Sequence, residues 1–428
     1  MLLFLSFVPF SGHWLLSLFA FSFLFRSLSA QGADPKRFWL LGIIFWALAL
    51  YWIPPTLNSY GDTGWPLALV AYCALVFYLS LFFLVWGLAC RRGLWMGVFS
   101  YVLLEWLRVK LIYGFPFFVL AHSLADFPFL IQEASIFGQW GVSFKILSVN
   151  AALATKRRSF ILVALLFLII DAFLWFSGGR MSSPVSVALV QPNLGEKEKW
   201  DPSMRERNVA LVIDMIKEAC GRGVDLVVAP ETTFPFYWGI DKDTQRVLNE
   251  TSSCSSHILA GVITYTYKGE KPYFLNRAVL LRRGRIEGSY DKRILVPFGE
   301  FIPLRSLLER VLPIYLPMDF ARGNAPPLIP MGNRKFLCGI CYEMSFPGYV
   351  DGYAGEADFL VNITNDMWFG RTIAPYVHFW SSVLRAVETG RFLFRCANSG
   401  ISAVVDPKGR VLKKTPIFER KILVYAGD

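Results

Sequence analysis

Arg334-Lys-Phe-Leu-Cys-Gly-Ile-Cys-Tyr-Glu343 is an apolar run that ends on a cysteine, a tyrosine and a carboxylate. A run this short, without helical spacing, reads as a buried strand. Strand ends in α/β proteins are where reacting side chains are presented, which makes Cys341 a candidate nucleophile. Two further stretches end in a comparable way. Val224–Ala229 reads as a buried strand closed by Pro230-Glu231, and Gly288-Ser-Tyr-Asp291 is followed by Lys292.

The three residue types belong together chemically. A thiol is mostly protonated at neutral pH and needs a base or a positive charge beside it to become a nucleophile. A glutamate can take that proton. A lysine can favour the thiolate and stabilise an oxyanion. Such a set attacks a carbonyl and passes through an acyl-thioester. Taken singly, each residue also has an ordinary reading: a solvated loop glutamate, a surface lysine between Asp291 and Arg293, and a buried core cysteine. Cys338-Gly-Ile-Cys341 further matches a C-x-x-C redox pair. Positions i and i+3 of a strand face opposite ways, which works against a disulfide there.

Around these points the C-terminal half reads as an α/β sandwich. Strands are expected at Val185–Gln191, Val224–Ala229, His257–Tyr265, Lys335–Ile340 and Phe359–Ile363, and helices at Pro202–Arg222 and Tyr376–Gly390. Val247–Ser256 reads as helix or loop. Hairpins are expected for Phe274–Leu281 with Arg285–Asp291, turning at Arg283-Gly284, and for Ile401–Val405 with Val411–Thr415, turning at Pro407-Lys408-Gly409.

The N-terminal half is different. Apolar segments at 13–25, 38–54, 66–89, 93–112, 127–151 and 159–176 approach the roughly 20 residues needed to span a bilayer. The first is short and lacks a basic start and a clear cleavage site, so it reads as a retained helix or hairpin. Domains are therefore expected at 1–178, a transmembrane domain of about six helices, and at 184–428. Arg26, Lys36–Arg37, Arg91–Arg92 and Lys156–Arg158 lie in the loops between apolar segments, as cytoplasmic loops do. The loop Thr56–Trp65 has no Lys or Arg, carries Asp62 and fits the outside. The segment at 159–176 then delivers the C-terminal half to the non-cytoplasmic face. Arg108 and Lys110 depart from this pattern. Glu105 and Arg108 stand one helical turn apart, as an ion pair, a snorkelling anchor or a contact to lipid headgroups or the soluble half. Gln132, Glu133, Gln139 and Lys145 mark their segment as partly interfacial or buried against protein.

The net charge of +11 collects largely in those loops, and no basic stripe with interleaved aromatics points to nucleic acid. Only 18% of residues are charged, against roughly 25% in an ordinary soluble domain. The seven cysteines are odd in number and scattered, which excludes a disulfide framework.

Beyond the three strand ends, the chain resembles the apolipoprotein N-acyltransferase family of the nitrilase, or carbon-nitrogen hydrolase, superfamily. The resemblance rests on Glu105-Trp-Leu-Arg108, Gly114-Phe-Pro116, Val187–Asn193, Lys199-Trp-Asp201, Pro230-Glu231, Tyr290-Asp-Lys292, Leu295-Val-Pro-Phe-Gly-Glu-Phe-Ile-Pro303, Ile340-Cys-Tyr-Glu343, Asn362–Gly370 and Arg385-Ala-Val-Glu388. It implies a multi-span α-helical membrane domain followed by a nitrilase-type α-β-β-α sandwich. It implies Cys341 as the thioester carrier, Glu231 as general base and Lys292 as oxyanion stabiliser. Glu300, Tyr342 and Glu343 match further residues around the family's site, and Trp200 matches a tryptophan on a mobile loop at its entrance.

The implied reaction moves an acyl chain from a membrane phospholipid to the α-amine of a diacylglyceryl-cysteine apolipoprotein. The implied location is the bacterial inner membrane with the catalytic domain facing the periplasm, and no metal or cofactor is expected. A membrane-tethered amidase, in which water resolves the thioester, is the alternative. The family usually ends in another membrane helix, whereas Val424-Tyr-Ala-Gly-Asp428 carries no apolar segment. The catalytic domain is accordingly expected to be tethered from one side.

Overall fold

The structure, a computed structural model, describes residues 1–60, 64–177, 182–268, 271–303, 305 and 319–427. Asp62 and the boundary expected at residue 178 lie outside the described residues. The chain divides into two compact units, Met1–Arg180 with Arg371–Gly390, and Met181–Gly370 with Arg391–Asp428.

The first unit is helical. Among the described residues, Gly64–Cys90 and Arg158–Phe176 are long and apolar enough to cross a membrane. Pro35–Ala49 and Ile53–Ser59, bent by 43°, make a third crossing if they form one span. Leu94–Lys110 is a shorter helix whose end carries the Arg108 exception. Arg108 is buried, and its guanidinium donates to the carbonyls of Phe115 and Phe117, each at 2.7 Å. Glu105 accepts the Leu120 backbone N–H at 2.7 Å. Both residues brace the loop after the helix, so Arg108 is not an anchor reaching for headgroups.

The apolar segment expected at 127–151 breaks into a short 3-10 turn, Pro128–Ile131, and the helix Ala134–Thr155. Gly138 interrupts that helix with a positive φ of 64°, a conformation glycine adopts without steric cost. Its polar residues are buried against protein. Lys145 Nζ reaches Glu133 Oε1 at 2.7 Å, Asp171 Oδ2 at 2.6 Å and the Leu130 carbonyl at 2.6 Å. The helix Ala374–Thr389 packs into the same unit, where Arg385 donates to Gln139 Oε1 at 3.0 Å.

Among the described residues, the second unit is built on twelve strands: β1 (Val187–Gln191), β2 (Leu226–Val228), β3 (His257–Lys268), β4 (Lys271–Arg282), β5 (Arg285–Asp291), β6 (Leu328–Met331), β7 (Arg334–Ile340), β8 (Phe359–Thr364), β9 (Leu393–Ala397), β10 (Ala403–Val405), β11 (Val411–Lys414) and β12 (Lys421–Tyr425). They form two six-stranded sheets, β12-β1-β2-β3-β4-β5 and β11-β10-β9-β8-β7-β6. At the centres, β1-β2-β3 and β7-β8-β9 are parallel. Parallel strands covered on both faces read as continuous apolar runs, which is why β1, β2, β7 and β8 were legible.

The helix Arg205–Cys220 buries Val209, Val212, Ile213 and Ile216 in one core cluster with Ala188 and Val190 of β1 and Val227 of β2. A thiol contacts the other sheet directly: Cys396 Sγ on β9 lies 3.2 Å from the Val190 carbonyl and 3.1 Å from that of Val228.

Three strands depart from the expectation. β6 holds Pro330, which has no N–H for a ladder and sits here on a sheet edge, where proline is tolerated. β9 carries Arg395 in its middle, and β12 pairs only with β1. Although the scattered cysteines do not read as a disulfide framework, Cys220 and Cys254 form a disulfide with their Cα atoms 5.7 Å apart. Neither Cys338 nor Cys341 is disulfide-bonded.

Candidate active site

The site assembles from loops that follow the strands. Glu231 stands in the turn after β2, Lys292 is the first residue after β5, and Cys341 is the first after β7. Two of these turns are strained. Thr232, next to Glu231, has φ of 45°, and Cys341 itself has φ of 52°. L-residues seldom occupy this left-handed region outside sites the surroundings over-determine. The Glu231 turn also depends on Gly261 of β3. A Cβ there would fall 2.6 Å from Glu231 Cα and 2.6 Å from the Pro230 carbonyl oxygen.

Glu231 is held on both carboxylate oxygens. Oε1 accepts from Asn276 Nδ2 at 2.7 Å and from Lys292 Nζ at 3.2 Å, and Oε2 accepts the Asn365 backbone N–H at 2.9 Å. Lys292 Nζ also reaches Glu300 Oε1 at 3.0 Å. Glu300 is oriented in turn by Asn276 Nδ2 at 2.9 Å and the Val296 N–H at 2.9 Å. Burial alone would push the Lys292 ammonium down, but the carboxylates of Glu231 and Glu300 outweigh it and hold the group well above its ordinary range.

Cys341 has the opposite tendency. Burial pushes its thiol up, the Glu231 charge pushes it further, and Lys292 opposes both. The thiol is therefore held in its neutral form, within electrostatic reach of the Glu231 carboxylate and the Lys292 ammonium. It is in hydrogen-bonding contact with Thr364, whose hydroxyl donates to Asp366 Oδ1 at 2.9 Å. Asp366 is paired with Arg395 Nη2 at 2.8 Å, both side chains being fully buried.

The remaining sequence-derived residues separate by what they touch. Glu343 accepts from the backbone N–H groups of Arg293 at 2.6 Å, Ile294 at 3.0 Å and Ile340 at 2.9 Å. It also accepts the Tyr290 hydroxyl at 2.8 Å and the Tyr349 hydroxyl at 3.2 Å. It thus ties the backbone after Lys292 to the backbone before Cys341. Tyr342 is buried and packs edge-on against Phe346, with ring centroids 4.9 Å apart. Trp200 is not in a loop: it ends the short helix Glu196–Trp200, remains 38% exposed, and donates from its indole N–H to Glu196 Oε1 at 2.8 Å.

Sequence reasoning assigned no role to Asn276, Asn365 or Lys199. A signal existed for Asn276, a lone amide inside the apolar run Phe274–Leu281, because a buried polar group must find partners. Asn365 acts on Glu231 through its backbone, which no residue pattern records.

The carbon-nitrogen hydrolase family matches residues 186–428, and the apolipoprotein N-acyltransferase N-terminal domain matches residues 1–152. An apolipoprotein N-acyltransferase from Geobacter metallireducens is 34% identical over 427 residues, covering 92% of this chain and 82% of that protein. One from Azotobacter vinelandii is 31% identical over 449 residues, covering 96% of this chain and 84% of that protein. Among solved structures, the E41L mutant of the amidase from Nesterenkonia sp. AN1 matches with a TM-score of 0.42 at 21% identity. That alignment covers 57% of this chain and 90% of that one.

Proposed function

The chain belongs to the apolipoprotein N-acyltransferase family, and on that premise we propose how its own residues carry out lipoprotein N-acylation. The donor is a membrane phospholipid and the acceptor is the α-amine of a diacylglyceryl-cysteine apolipoprotein. Residues 1–178 form the membrane platform and 184–428 the catalytic domain. The enzyme sits in the bacterial inner membrane with that domain facing the periplasm. The Cys220–Cys254 disulfide supports this side of the membrane, since disulfides persist in oxidising compartments. So does the basic cluster Lys156–Arg158 before the last apolar helix.

In the first half-reaction, Glu231 takes the thiol proton as Cys341 Sγ bonds to the ester carbonyl carbon. Lys292 Nζ meets the oxyanion of the tetrahedral intermediate. Collapse breaks the ester C–O bond, and the lysophospholipid oxygen leaves with the proton held by Glu231. In the second half-reaction, the acceptor amine attacks the thioester and gives a proton to Glu231. The C–S bond breaks, and Cys341 regains its proton. Glu300 and Glu343 position the site: the first shares Lys292, the second fixes the backbone on either side of it.

The observation that carries this reading is the buried Lys292 ammonium, 3.2 Å from Glu231 and 3.0 Å from Glu300, electrostatically coupled to the Cys341 thiol. The test is acyl transfer from phospholipid to a diacylated lipopeptide by wild type and Cys341→Ala. Transfer by wild type alone is expected. Release of free fatty acid without transfer would favour a hydrolase, and full activity in Cys341→Ala would overturn the thioester.

A further inference from the structure

Glu231 is braced from a direction that the transfer chemistry does not use. Two side chains of the helix Glu196–Trp200 reach the residues around Glu231. Glu196 is the first: Oε1 accepts the Trp200 indole N–H at 2.8 Å, and Oε2 accepts from Asn365 Nδ2 at 2.9 Å. Asn365 is the residue whose backbone N–H binds Glu231 Oε2. Lys199 makes the second contact. Its ammonium is buried and donates to Thr232 Oγ1 at 2.6 Å, on the strained residue that follows Glu231.

The neighbouring chain is fixed as well. Asn398 binds both the N–H of Leu194, at 3.0 Å, and its carbonyl, at 2.8 Å, just before the helix. The same Asn398 donates to Asn365 Oδ1 at 3.1 Å. Asn365 is therefore gripped on its side-chain oxygen by Asn398 and on its side-chain nitrogen by Glu196. Of these groups, Trp200 is the most exposed.

We propose that Glu196 and Lys199 are positioning residues that hold Asn365 and Thr232, and through them Glu231, so that the helix Glu196–Trp200 fixes the surroundings that orient the base. Lys199 is a buried cation that donates to the Thr232 hydroxyl, lies 5.8 Å from the Trp200 ring centroid and interacts with the carboxylates of Glu196 and Glu231, and Glu196 is a buried carboxylate that accepts from Trp200 and Asn365. Both charges are thereby set against the two residues that flank and orient the base, whose placement tolerates little error.

The inference rests on the acyltransferase reading. Its test is single-turnover acylation of Cys341 by phospholipid in the full chain, followed by the mass of the intact protein. Glu196→Gln sets an amide N–H against the indole N–H, while Trp200→Phe removes the indole donor. Each is expected to slow acylation by roughly tenfold, the loss of one charge-assisted hydrogen bond, at unchanged donor KM. The double variant should be no slower than the slower single, because the phenyl ring introduced by Trp200→Phe carries no N–H to clash with the new amide. Lys199→Met and Thr232→Val remove one hydrogen bond from either side and should slow acylation alike; if Lys199→Met fails to fold, Thr232→Val decides that contact.

Multiplicative effects in the double variant, wild-type rates in the singles, or effects confined to KM would overturn the inference. Wild type that acquires no acyl group would overturn the acyltransferase reading itself, and the inference with it. Wild-type acylation with additive variants would overturn the inference alone.

Discussion

Lys292 Nζ lies 3.2 Å from Glu231 Oε1 with both side chains almost wholly out of solvent. Glu300 approaches the same ammonium, so one cation balances two carboxylates. Removing it leaves those charges uncompensated, which for a buried pair costs about 3–5 kcal/mol. On the proposed mechanism it also removes the group that meets the developing oxyanion, an effect of roughly 100- to 1,000-fold in rate. Lys292→Met should therefore lower both acylation rate and thermal stability. Lys292→Met with Glu300→Gln should recover stability without recovering rate. Single-turnover acylation and melting in detergent separate the two effects.

Alkaline pH probes the buried thiols. Burial pushes Cys396 up from the ordinary thiol value of 9.0, and burial with the Glu343 charge does the same for Cys338. A folded value above the unfolded one means that the native state keeps a proton the unfolded chain releases. The associated stability is complete below about pH 9 and is lost as pH rises further, by at most about 1.4 kcal/mol per pH unit for each group. Melting temperature should change little between pH 7 and 8.5 on this account and fall above 9. Cys396→Ala should start lower, having lost its contacts to Val190 and Val228, and should then fall less steeply. Parallel slopes for the variant and wild type would show that Cys396 does not contribute.

The Cys220–Cys254 bridge closes a separation of 34 residues between the helix Arg205–Cys220 and the approach to β3. Constraint of the unfolded chain by a loop of that size is worth about 2–4 kcal/mol. Cys220→Ser or Cys254→Ser should lower the melting temperature by that equivalent and leave acylation chemistry intact at low temperature. Protein purified from the membrane should show no free thiol at either position. Quantitative alkylation of both without reductant would contradict the bridge and weaken the periplasmic assignment.

What could be read from the sequence followed from chain locality. Glu231, Lys292 and Cys341 each terminate a short apolar or alternating run, so their equivalent places in the fold were visible one run at a time. Glu196 and Asn365 lie 169 positions apart and share no local pattern. The Cys220–Cys254 pair was hidden among scattered cysteines, because composition does not encode which two thiols a fold brings together. β9 was hidden by Arg395, whose charge broke the apolar run. Its guanidinium is compensated by Asp366 and Asn362 only once β8 is beside it. Gln132, Glu133, Gln139 and Lys145 were legible as anomalous, but their partners Asp171 and Arg385 were not.

Lys145 provides the corresponding test in the helical unit. Its ammonium donates to Asp171 and the Leu130 carbonyl and pairs with the Glu133 carboxylate at 2.7 Å. The Glu133 backbone N–H closes the cluster onto Asp171 Oδ1 at 3.2 Å. Charges within apolar helical surroundings are expensive unless paired. Lys145→Met leaves two carboxylates together with no cation, and should destabilise the full chain by about 3–5 kcal/mol. The triple variant Lys145→Met, Glu133→Gln, Asp171→Asn keeps similar volume, removes every charge, and should cost markedly less. Thermal melting in detergent reads the order wild type, triple, single. If the single variant melts with wild type, the cluster does not hold the helices Ala134–Thr155 and Arg158–Phe176 together. If the triple is as unstable as the single, the cost lies in lost hydrogen bonds and not in unpaired charge.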